Sequence, residues 1–230
     1  MHITGYTRDN VHSADAAAGG EWIVLIHGLL SSPRAMRKIK SALVARGYSV
    51  LNFGYDSRQQ SIRTSAVLLD TEIKRVIPNT AGKIHFVTHS LGSIIARYYF
   101  EKSNPGNLGR CVMIAPPNHG SIWGRRLIKN IPFFNFVLGI AGQEVRYPPE
   151  KSLHNPPPCE FGIIAGGMGN SFGINPLIPG DNDGTIAVSE TRLDGMNDFV
   201  LVRGQHTMLL FQKKVIDNIL LFLETGNFDH

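Results

Sequence analysis

Residues 83–99 of the chain read KIHFVTHSLGSIIARYY. The first part is an apolar run that predicts a buried strand, and the part that begins at Leu91 has the spacing of a helix. Ser90 lies at the junction, and Gly92 follows two residues later. A side chain on so tight a strand-to-helix turn is pushed out of the sheet, and the first N–H groups of the helix point towards it. The stretch therefore predicts an α/β fold that exposes one serine at a sheet edge.

Five further apolar runs predict strands, at residues 21–28, 48–55, 110–117, 160–167 and 198–204. Segments with helical periodicity lie between or after them, at residues 33–46, 61–77, 91–103 and 207–224. Strands that are apolar throughout and alternate with helices indicate a mostly parallel sheet with helices on both faces. We therefore expect a three-layer α/β fold with about six strands. Because such sheets bind ligands beyond the carboxyl ends of their strands, chemically informative residues should follow strands.

The length and composition favour a single domain over residues 1–230, since 230 residues with 43% hydrophobic side chains can bury one core. Residues 120–158 interrupt the alternation of strands and helices, because they are rich in bulky apolar side chains and end in prolines. We interpret this segment as a cap or lid insertion over an apolar pocket. Its basic residues suit a peripheral contact with an anionic membrane.

The charge, the cysteine count and the apolar segments of the chain indicate which binding partners and which cellular compartment to expect. The net charge of +5 is a mild excess without a nucleic-acid-binding motif, so nucleic acid is not an expected partner. Cys111 and Cys159 are too few for a disulfide framework and are interpreted as buried thiols. The first residues do not have the pattern of a secretory signal, and no segment approaches the ~20 apolar residues of a membrane span. We expect a cytoplasmic protein.

Residues 88–99, THSLGSIIARYY, resemble the nucleophile elbow of the α/β-hydrolases, and of their lipase branch in particular. In that branch G/A-H-S-x-G-G before an A-R-Y helix start is common, so Ser90 matches the nucleophile and Gly92 the second glycine. Thr88 and Ser93 stand where the family has small residues, so we expect the elbow to be either looser or held differently at these two positions. The resemblance implies a serine hydrolase with an α/β-hydrolase fold.

A serine nucleophile needs a histidine as its base, and the chain has nine histidines. His206 comes directly after the last predicted strand, where the resemblance places the catalytic histidine. His119, which also follows a strand, is the best competitor. His85 lies inside a strand and is interpreted as a core residue.

Two aspartates compete for the role of the acid that orients this histidine. Asp183, in N-D-G-T-I, resembles the family's acid in its N-D-G-x-V context, and Asp181 is the alternative. The chain order Ser90, Asp183, His206 is that of the α/β-hydrolases and differs from the chymotrypsin-like and subtilisin-like orders. The stretch D-N-D-G is also similar to the start of a calcium loop. Because the acidic closing ligand of that loop is missing, no metal is expected.

The developing oxyanion requires two backbone N–H donors. The candidates are Leu91, at the start of the helix, and Leu29, in the stretch LIHGLLSS, which resembles the family's H-G-x turn. Residues 114–121, IAPPNHGS, are similar to a T-P-x-x-G-S turn of lipases, and within them Asn118, His119, Gly120 and Ser121 are interpreted as walls of the site. Candidate substrate contacts are His27, Gly28, His89, His119, Trp123, Phe133 and Phe134.

The resemblance implies a lipase-like or esterase-like hydrolase of carboxylic esters that forms an acyl-enzyme on Ser90 and needs no cofactor. Its substrate would be a small-molecule or lipid ester. Thioesterases, amidases and acyltransferases can use the same fold and triad, so these activities remain alternatives. Outside enzymes, the alternative is a binding protein in which Ser90 is not activated, because Thr88 departs from the elbow pattern.

Overall fold

A seven-stranded sheet forms the centre of the described part of the chain. The computed structural model describes residues 11–12, 19–103, 105–130, 134–145 and 155–230. The strands are β1 Val11–His12, β2 Trp22–Ile26, β3 Ser49–Phe53, β4 Ile84–His89, β5 Leu108–Ile114, β6 Phe161–Gly167 and β7 Asp198–Arg203. Their order is β1-β3-β2-β4-β5-β6-β7, with β1 antiparallel to β3 and β2 to β7 mutually parallel. The predicted mostly parallel sheet is confirmed, and its six predicted strands are β2 to β7.

Helices cover both faces of this sheet. They are α1 Arg37–Ala45, α2 Ile62–Val76, α3 Leu91–Lys102, α4 Ile122–Asn130, α5 Phe134–Val145, α6 Val188–Thr191 and α7 Lys213–Thr225. Ile39 of α1 and Ile219 of α7 belong to the core on one face, and Leu69 of α2 and Ile95 of α3 to the core on the other. The central strands are therefore buried on both sides, which explains why their sequences are mainly apolar.

The first and last predicted helices both begin with a 3₁₀ turn. Pro33–Met36 forms such a turn before α1, and Met208–Phe211 forms one before α7. Gln212 then has an extended backbone, with ψ at 134°, and its side-chain amide donates to Arg203 O at 3.0 Å. This bond separates the second 3₁₀ turn from α7. The apolar pattern continues through the break, so periodicity alone could not locate it.

The path of the chain across the sheet reverses at β2. The chain passes from β2 through α1 to β3 on one side, and then through α2 to β4 on the other. The carboxyl ends of β2 and β4 therefore open a crevice of the kind in which doubly wound sheets bind ligands. The loop that starts at His27 and the turn at Ser90 both lie at this crevice.

The described part of the 120–158 segment forms two helices, α4 and α5. α5 is kinked at Gly139, which has a φ of +67° and lies so close to Arg58 that an added Cβ would be 2.3 Å from Arg58 Cα. The N–H of Ile140 donates to Arg58 O at 3.0 Å, which fixes α5 to the loop after β3. The cap or lid role of the segment stays a prediction. Phe133 and the side chain of Phe134 lie outside the described residues.

The sequence predicts that Cys111, Cys159 and His85 are buried. Cys111 is buried and Cys159 half-buried, neither forms a disulfide, and burial raises the pKa of the Cys159 thiol to about 12. His85 is buried in β4 and accepts the N–H of Arg110 at Nδ1 (2.9 Å), as expected for a core residue. Within the described ranges, no helix has both the length and the apolar character needed to cross a membrane.

Candidate active site

Ser90 is the single residue between β4 and α3. Its backbone has φ +51° and ψ −122°, a conformation that residues other than glycine seldom adopt and that costs roughly 1–3 kcal/mol. The N–H of Ser90 donates to Ile114 O at 2.9 Å, which holds the turn against β5. Gly92 packs against β2, since an added Cβ would lie 2.4 Å from Ile26 O. The predicted strand-to-helix turn is therefore present, with Ser90 as its turning residue.

The two residues that depart from the lipase pattern form a hydrogen-bonded pair. Thr88 and Ser93 are both fully buried, and their hydroxyl oxygens are 2.8 Å apart. Because the Thr88 hydroxyl donates to Val112 O at 3.4 Å, the Ser93 hydroxyl is the donor within the pair. The pair joins the end of β4 to the first turn of α3 across the strained residue. In this chain two hydroxyl groups thus occupy the space beneath the turn.

We expect Thr88 and Ser93 to contribute to stability as a unit. Thr88→Ala leaves the buried Ser93 hydroxyl without this partner, which should lower the free energy of unfolding by about 1–3 kcal/mol. Because the second substitution removes the orphaned group, the double variant with Ser93→Ala should be more stable than the sum of the single losses predicts. Urea unfolding of the four proteins measures the coupling. Additive losses would contradict a mutual role.

His206 and Asp183 form a short hydrogen bond at the same edge of the sheet. His206 Nδ1 lies 2.6 Å from Asp183 Oδ2, and the carboxyl group is fully buried. The other oxygen, Oδ1, accepts the N–H groups of Thr185 (2.9 Å) and Ile186 (2.8 Å). The N–H of His206 in turn donates to Asp183 O at 3.0 Å. With its proton on Nδ1, the neutral imidazole presents Nε2 as an acceptor, which is the arrangement a general base requires.

Asp181, the alternative acid, is engaged elsewhere. Its carboxylate accepts the N–H groups of Met168 (2.7 Å), Gly169 (2.8 Å) and Asn182 (3.0 Å), so it closes the loop that follows β6. The geometry therefore pairs His206 with Asp183 and gives Asp181 a structural place. No group of three His, Cys, Asp or Glu side chains in the described part of the chain could hold a metal ion.

The loop after β2 contacts Ser90, and the loop after β7 contacts its neighbour His89. An added Cβ on Gly28 would lie 3.2 Å from Ser90 Cβ and 2.8 Å from His89 Nδ1, so the first loop touches the turn closely. The His89 and His206 rings are 4.8 Å apart, and His89 Nε2 donates to His206 O at 3.3 Å. Burial, followed by the nearby His206, holds the pKa of His89 well below its usual value, so His89 is neutral. His89 offers almost no surface to a substrate and instead supports the backbone at His206.

His27 orients the peptide group between Gly28 and Leu29. The His27 ring is fully buried, stacks on Tyr55 at 4.3 Å, and has Nδ1 2.9 Å from Gly28 O. The Tyr55 hydroxyl donates to His27 O at 2.8 Å, which holds the backbone of the same residue. In a trans peptide the C=O and the following N–H point in opposite directions. A Gly28 carbonyl turned towards His27 therefore turns the Leu29 N–H away from it.

This geometry corrects the predicted role of His27. A side chain with no exposed surface cannot contact a substrate, so that prediction was wrong. Burial lowers the pKa of His27 to about 4, although the hydrogen bond with Gly28 opposes this shift. The neutral ring donates from Nδ1 and acts on the loop as a positioning group. No local pattern in the sequence could have assigned this role, because Tyr55 lies 28 residues further along the chain.

Substitutions at His27 should separate its hydrogen bond from its packing. His27→Phe keeps a ring against Tyr55 but has no donor, so the Leu29 N–H loses its fixed direction, and we expect kcat to fall by about 100-fold to 1000-fold with little change in KM. His27→Asn places an amide donor near the Nδ1 position and should restore most of the rate. Steady-state hydrolysis of a soluble nitrophenyl ester measures both variants. Equal rates for the phenylalanine variant and the parent would exclude the positioning role.

The buried His27 should also make stability depend on pH. Between pH 6.5 and about 4 the unfolded chain binds a proton at this histidine that the folded chain does not, so the free energy of unfolding falls as the pH falls. A lowering of the pKa from 6.5 to about 4 corresponds to about 3 kcal/mol over this window. His27→Phe should remove this pH-dependent contribution to the free energy of unfolding. Urea unfolding across the window, with parent and variant side by side, should show a steeper loss of stability towards acid pH in the parent than in the variant.

The predicted site walls are tied to the loop that carries Asp183. Asn118 is buried, donates to Thr191 O at 2.8 Å and accepts from the guanidinium of Arg97 at 3.0 Å. Glu190, which the sequence analysis missed, accepts the N–H of Ile122 at 2.6 Å and so anchors the start of α4. Burial raises the pKa of this carboxyl group.

Two predicted substrate contacts differ in their exposure. The His119 side chain is exposed, and Trp123 on α4 is half-buried. His119 is not the histidine that meets Asp183, and its substrate contact stays a prediction, as does that of Trp123.

Part of the chain matches a known protein family. Residues 19–137, just over half of the chain, match the family described as putative serine esterase (DUF676). The chain belongs to the DUF676 family. The matched part of this DUF676 chain contains the His27 loop and Ser90, whereas Asp183 and His206 lie beyond it, so the family match does not bear on their assignment. No curated protein matches the chain.

Solved structures share the fold of this DUF676 chain. The mature lipase BlEst2 from Bacillus licheniformis has a TM-score of 0.72 at 17% identity, over 92% of this chain and 93% of that chain. The Pyrococcus furiosus esterase Pf2001 has a TM-score of 0.63 at 16% identity, over 90% of this chain and 81% of that chain. The phospholipase PlaB from Legionella pneumophila has a TM-score of 0.59 at 16% identity, over 75% of this chain and 45% of that chain. The chain is an α/β-hydrolase, and its family supports a serine hydrolase function.

Proposed function

We propose that the chain hydrolyses carboxylic esters through an acyl-enzyme intermediate on Ser90. The observation that carries the proposal is the 2.6 Å bond between His206 and the buried Asp183, at the sheet edge where Ser90 turns β4 into α3. The names of the structural neighbours, a lipase, an esterase and a phospholipase, favour an ester with an apolar acyl group, whether a small molecule or a lipid.

In the proposed reaction Ser90 Oγ attacks the ester carbonyl while His206 Nε2 takes its proton. Asp183 holds the imidazole in orientation and stabilises its charged form. The imidazolium then gives the proton to the leaving alcohol, and a water molecule activated by the same histidine releases the acid. Asp183 accepts from His206 throughout and does not itself take up the proton.

In this proposal two backbone N–H groups bind the oxyanion. The N–H of Leu91 is the first of α3, and the first N–H groups of a helix have no partner within it. The N–H of Leu29 takes its direction from the bond between His27 and the preceding carbonyl. A donor of this kind contributes about 3–4 kcal/mol to transition-state stabilisation.

The elbow geometry favours an enzyme over a binding protein. Thr88 differs from the elbow pattern, and this difference was the reason for the non-catalytic alternative. Its hydroxyl group pairs with that of Ser93, and this hydrogen bond stabilises the turn. Thioester, amide and acyl-transfer chemistry would use the same groups and differ in the acyl acceptor or leaving group.

The test is covalent labelling with a fluorophosphonate probe. We expect the folded protein to acquire one adduct, which peptide mass spectrometry places on Ser90, and the heat-denatured protein to acquire none. An unlabelled folded protein would overturn the proposal. Nitrophenyl esters of increasing acyl length, compared with matched thioesters and anilides, would then identify the preferred bond.

A further inference from the structure

The most exposed large apolar side chain of the described residues, Phe172, lies on the loop after β6. Phe172 is 76% exposed and Leu177 58%, and Met168 and Ile174 on the same loop are also exposed. We call residues 168–178 the β6 loop. Single exposed apolar side chains are common, but several on one short loop mark a contact surface. The β6 loop lies at the edge of the sheet that carries Ser90, because it starts at the carboxyl end of a parallel strand.

The β6 loop is held in one conformation from within. Asn182 is fully buried, and its amide nitrogen donates to carbonyl oxygens that include Phe172 O (3.3 Å) and Gly180 O (2.9 Å). Its amide oxygen accepts the N–H of Asn175 at 2.9 Å. An added Cβ at Gly173 would lie 2.2 Å from the Asn182 amide nitrogen, so the loop is packed tightly around this side chain. The apolar side chains are therefore presented outwards on a fixed support, and docking would cost little further ordering of the loop.

Other exposed apolar side chains lie at the same edge of the sheet. Within the described ranges the large exposed ones are Leu30, Val137, Ile140, Met168, Phe172, Ile174, Leu177, Met208 and Phe211, together with Val67 on the body of α2. Of the nine residues other than Val67, seven belong to segments that follow the carboxyl end of a strand. The other two, Val137 and Ile140, lie on α5, which packs against the loops after β2 and β3. The guanidinium of Arg126 donates to Leu177 O, which connects α4 to the β6 loop.

The segments that carry these nine side chains, taken together with the neighbouring helix α4, are strongly basic. Residues 29–38, 122–145, 168–178 and 204–214 together contain eight basic residues, Arg34, Arg37, Lys38, Arg125, Arg126, Lys129, Lys213 and Lys214. Their one acidic residue is Glu144, whose carboxylate accepts the N–H of Ile62 at 2.7 Å. The whole chain, in contrast, has 23 basic and 18 acidic residues. Exposed apolar groups among cations suit a surface that is apolar inside and negatively charged outside.

We propose that this edge docks on an anionic lipid surface, with Phe172 and Leu177 of the β6 loop entering the boundary between headgroups and acyl chains. The sequence had pointed to the 120–158 insertion as the membrane contact. In this proposal the apolar anchor is the β6 loop, and α4 is its basic neighbour. Docking in this orientation would bring the crevice at Ser90 against the lipid. Binding does not depend on the proposed ester hydrolysis, so the two proposals can fail separately.

Flotation of the full-length protein with vesicles tests the proposal. Vesicles of ether-linked phosphatidylcholine, with and without ether-linked phosphatidylglycerol, contain no acyl ester to hydrolyse. We expect binding to the anionic vesicles, weakened by high salt, and little binding to the neutral ones. The double variant Phe172→Ser with Leu177→Ser should bind the anionic vesicles at least about tenfold more weakly than the parent. It should keep the parent's rate on a soluble short-chain ester.

Val67→Ser is the matched control, because Val67 is 63% exposed and lies on α2 rather than at the sheet edge. It should bind like the parent. Binding of the double variant at the parent's level, or no vesicle binding by the parent, would overturn the proposal. A change of oligomeric state in the double variant without vesicle binding by the parent would assign the surface to a second copy of the chain and would also overturn it.

Discussion

Replacing Ser90 by alanine is expected to lower kcat for ester hydrolysis by about a millionfold, the scale seen when a serine nucleophile is removed from a triad. The backbone N–H donors and the bond between His206 and Asp183 would remain, but the acyl-enzyme could not form. The substitution adds no bulk to the turn, so the fold should persist. Steady-state rates on a nitrophenyl ester and loss of fluorophosphonate labelling provide two independent measurements.

Ser93→Ala is the matched control for this variant. Ser93 lies on the first turn of α3 and is buried, and its hydroxyl meets Thr88 rather than the crevice. We expect the control to unfold more easily and still accept the probe. A Ser90→Ala protein that hydrolysed esters at a substantial fraction of the parent's rate would place the nucleophile elsewhere.

Replacing Asp183 by asparagine should lower kcat by about ten-thousandfold. The amide is nearly the same size, and its oxygen can still accept from Thr185 and Ile186, so the loop should keep its shape. The amide nitrogen would then face His206 Nδ1 and favour the tautomer with its proton on Nε2. That tautomer cannot accept the proton of Ser90. KM should change little, because the carboxylate is fully buried and does not contact the substrate.

Asp181→Asn tests whether the two aspartates have been assigned correctly. The side chain of Asp181 accepts three backbone N–H groups, and an amide can no longer serve all of them as well. We expect a lower melting temperature and a kcat close to that of the parent. A result in which Asp181→Asn is inactive and Asp183→Asn is active would reverse the assignment.

The sequence predicted the sheet well because the strands β2, β3, β4 and β6 are buried on both faces. Short, mainly apolar runs that alternate with helices indicate the strands of a parallel sheet. The turn at Ser90 was predictable for a local reason, since strand, serine, glycine and helix follow one another within a few residues. The edge strand β1 has two residues, Val11 and His12, too few to show any periodicity.

The remaining parts of the site depend on contacts between distant residues. Asp181 and Asp183 lie in the same short stretch, and only the path of the loop decides which of them reaches His206. The sequence shows that His27 precedes a glycine at the end of a strand. It does not show that His27 is buried, because the covering residue Tyr55 comes from the loop after β3. A local pattern indicates which residue types are present and cannot indicate which side chain a later loop will cover.

The hydroxyl pair beneath the elbow has a consequence for recognising relatives. In an alignment of such chains, we expect the columns of Thr88 and Ser93 to covary, so that hydroxyl residues occur together and glycine or alanine occur together. A search pattern that demands small residues at both positions would overlook every homologue built in the first way. A motif that treats the two positions as one joint character would recover them.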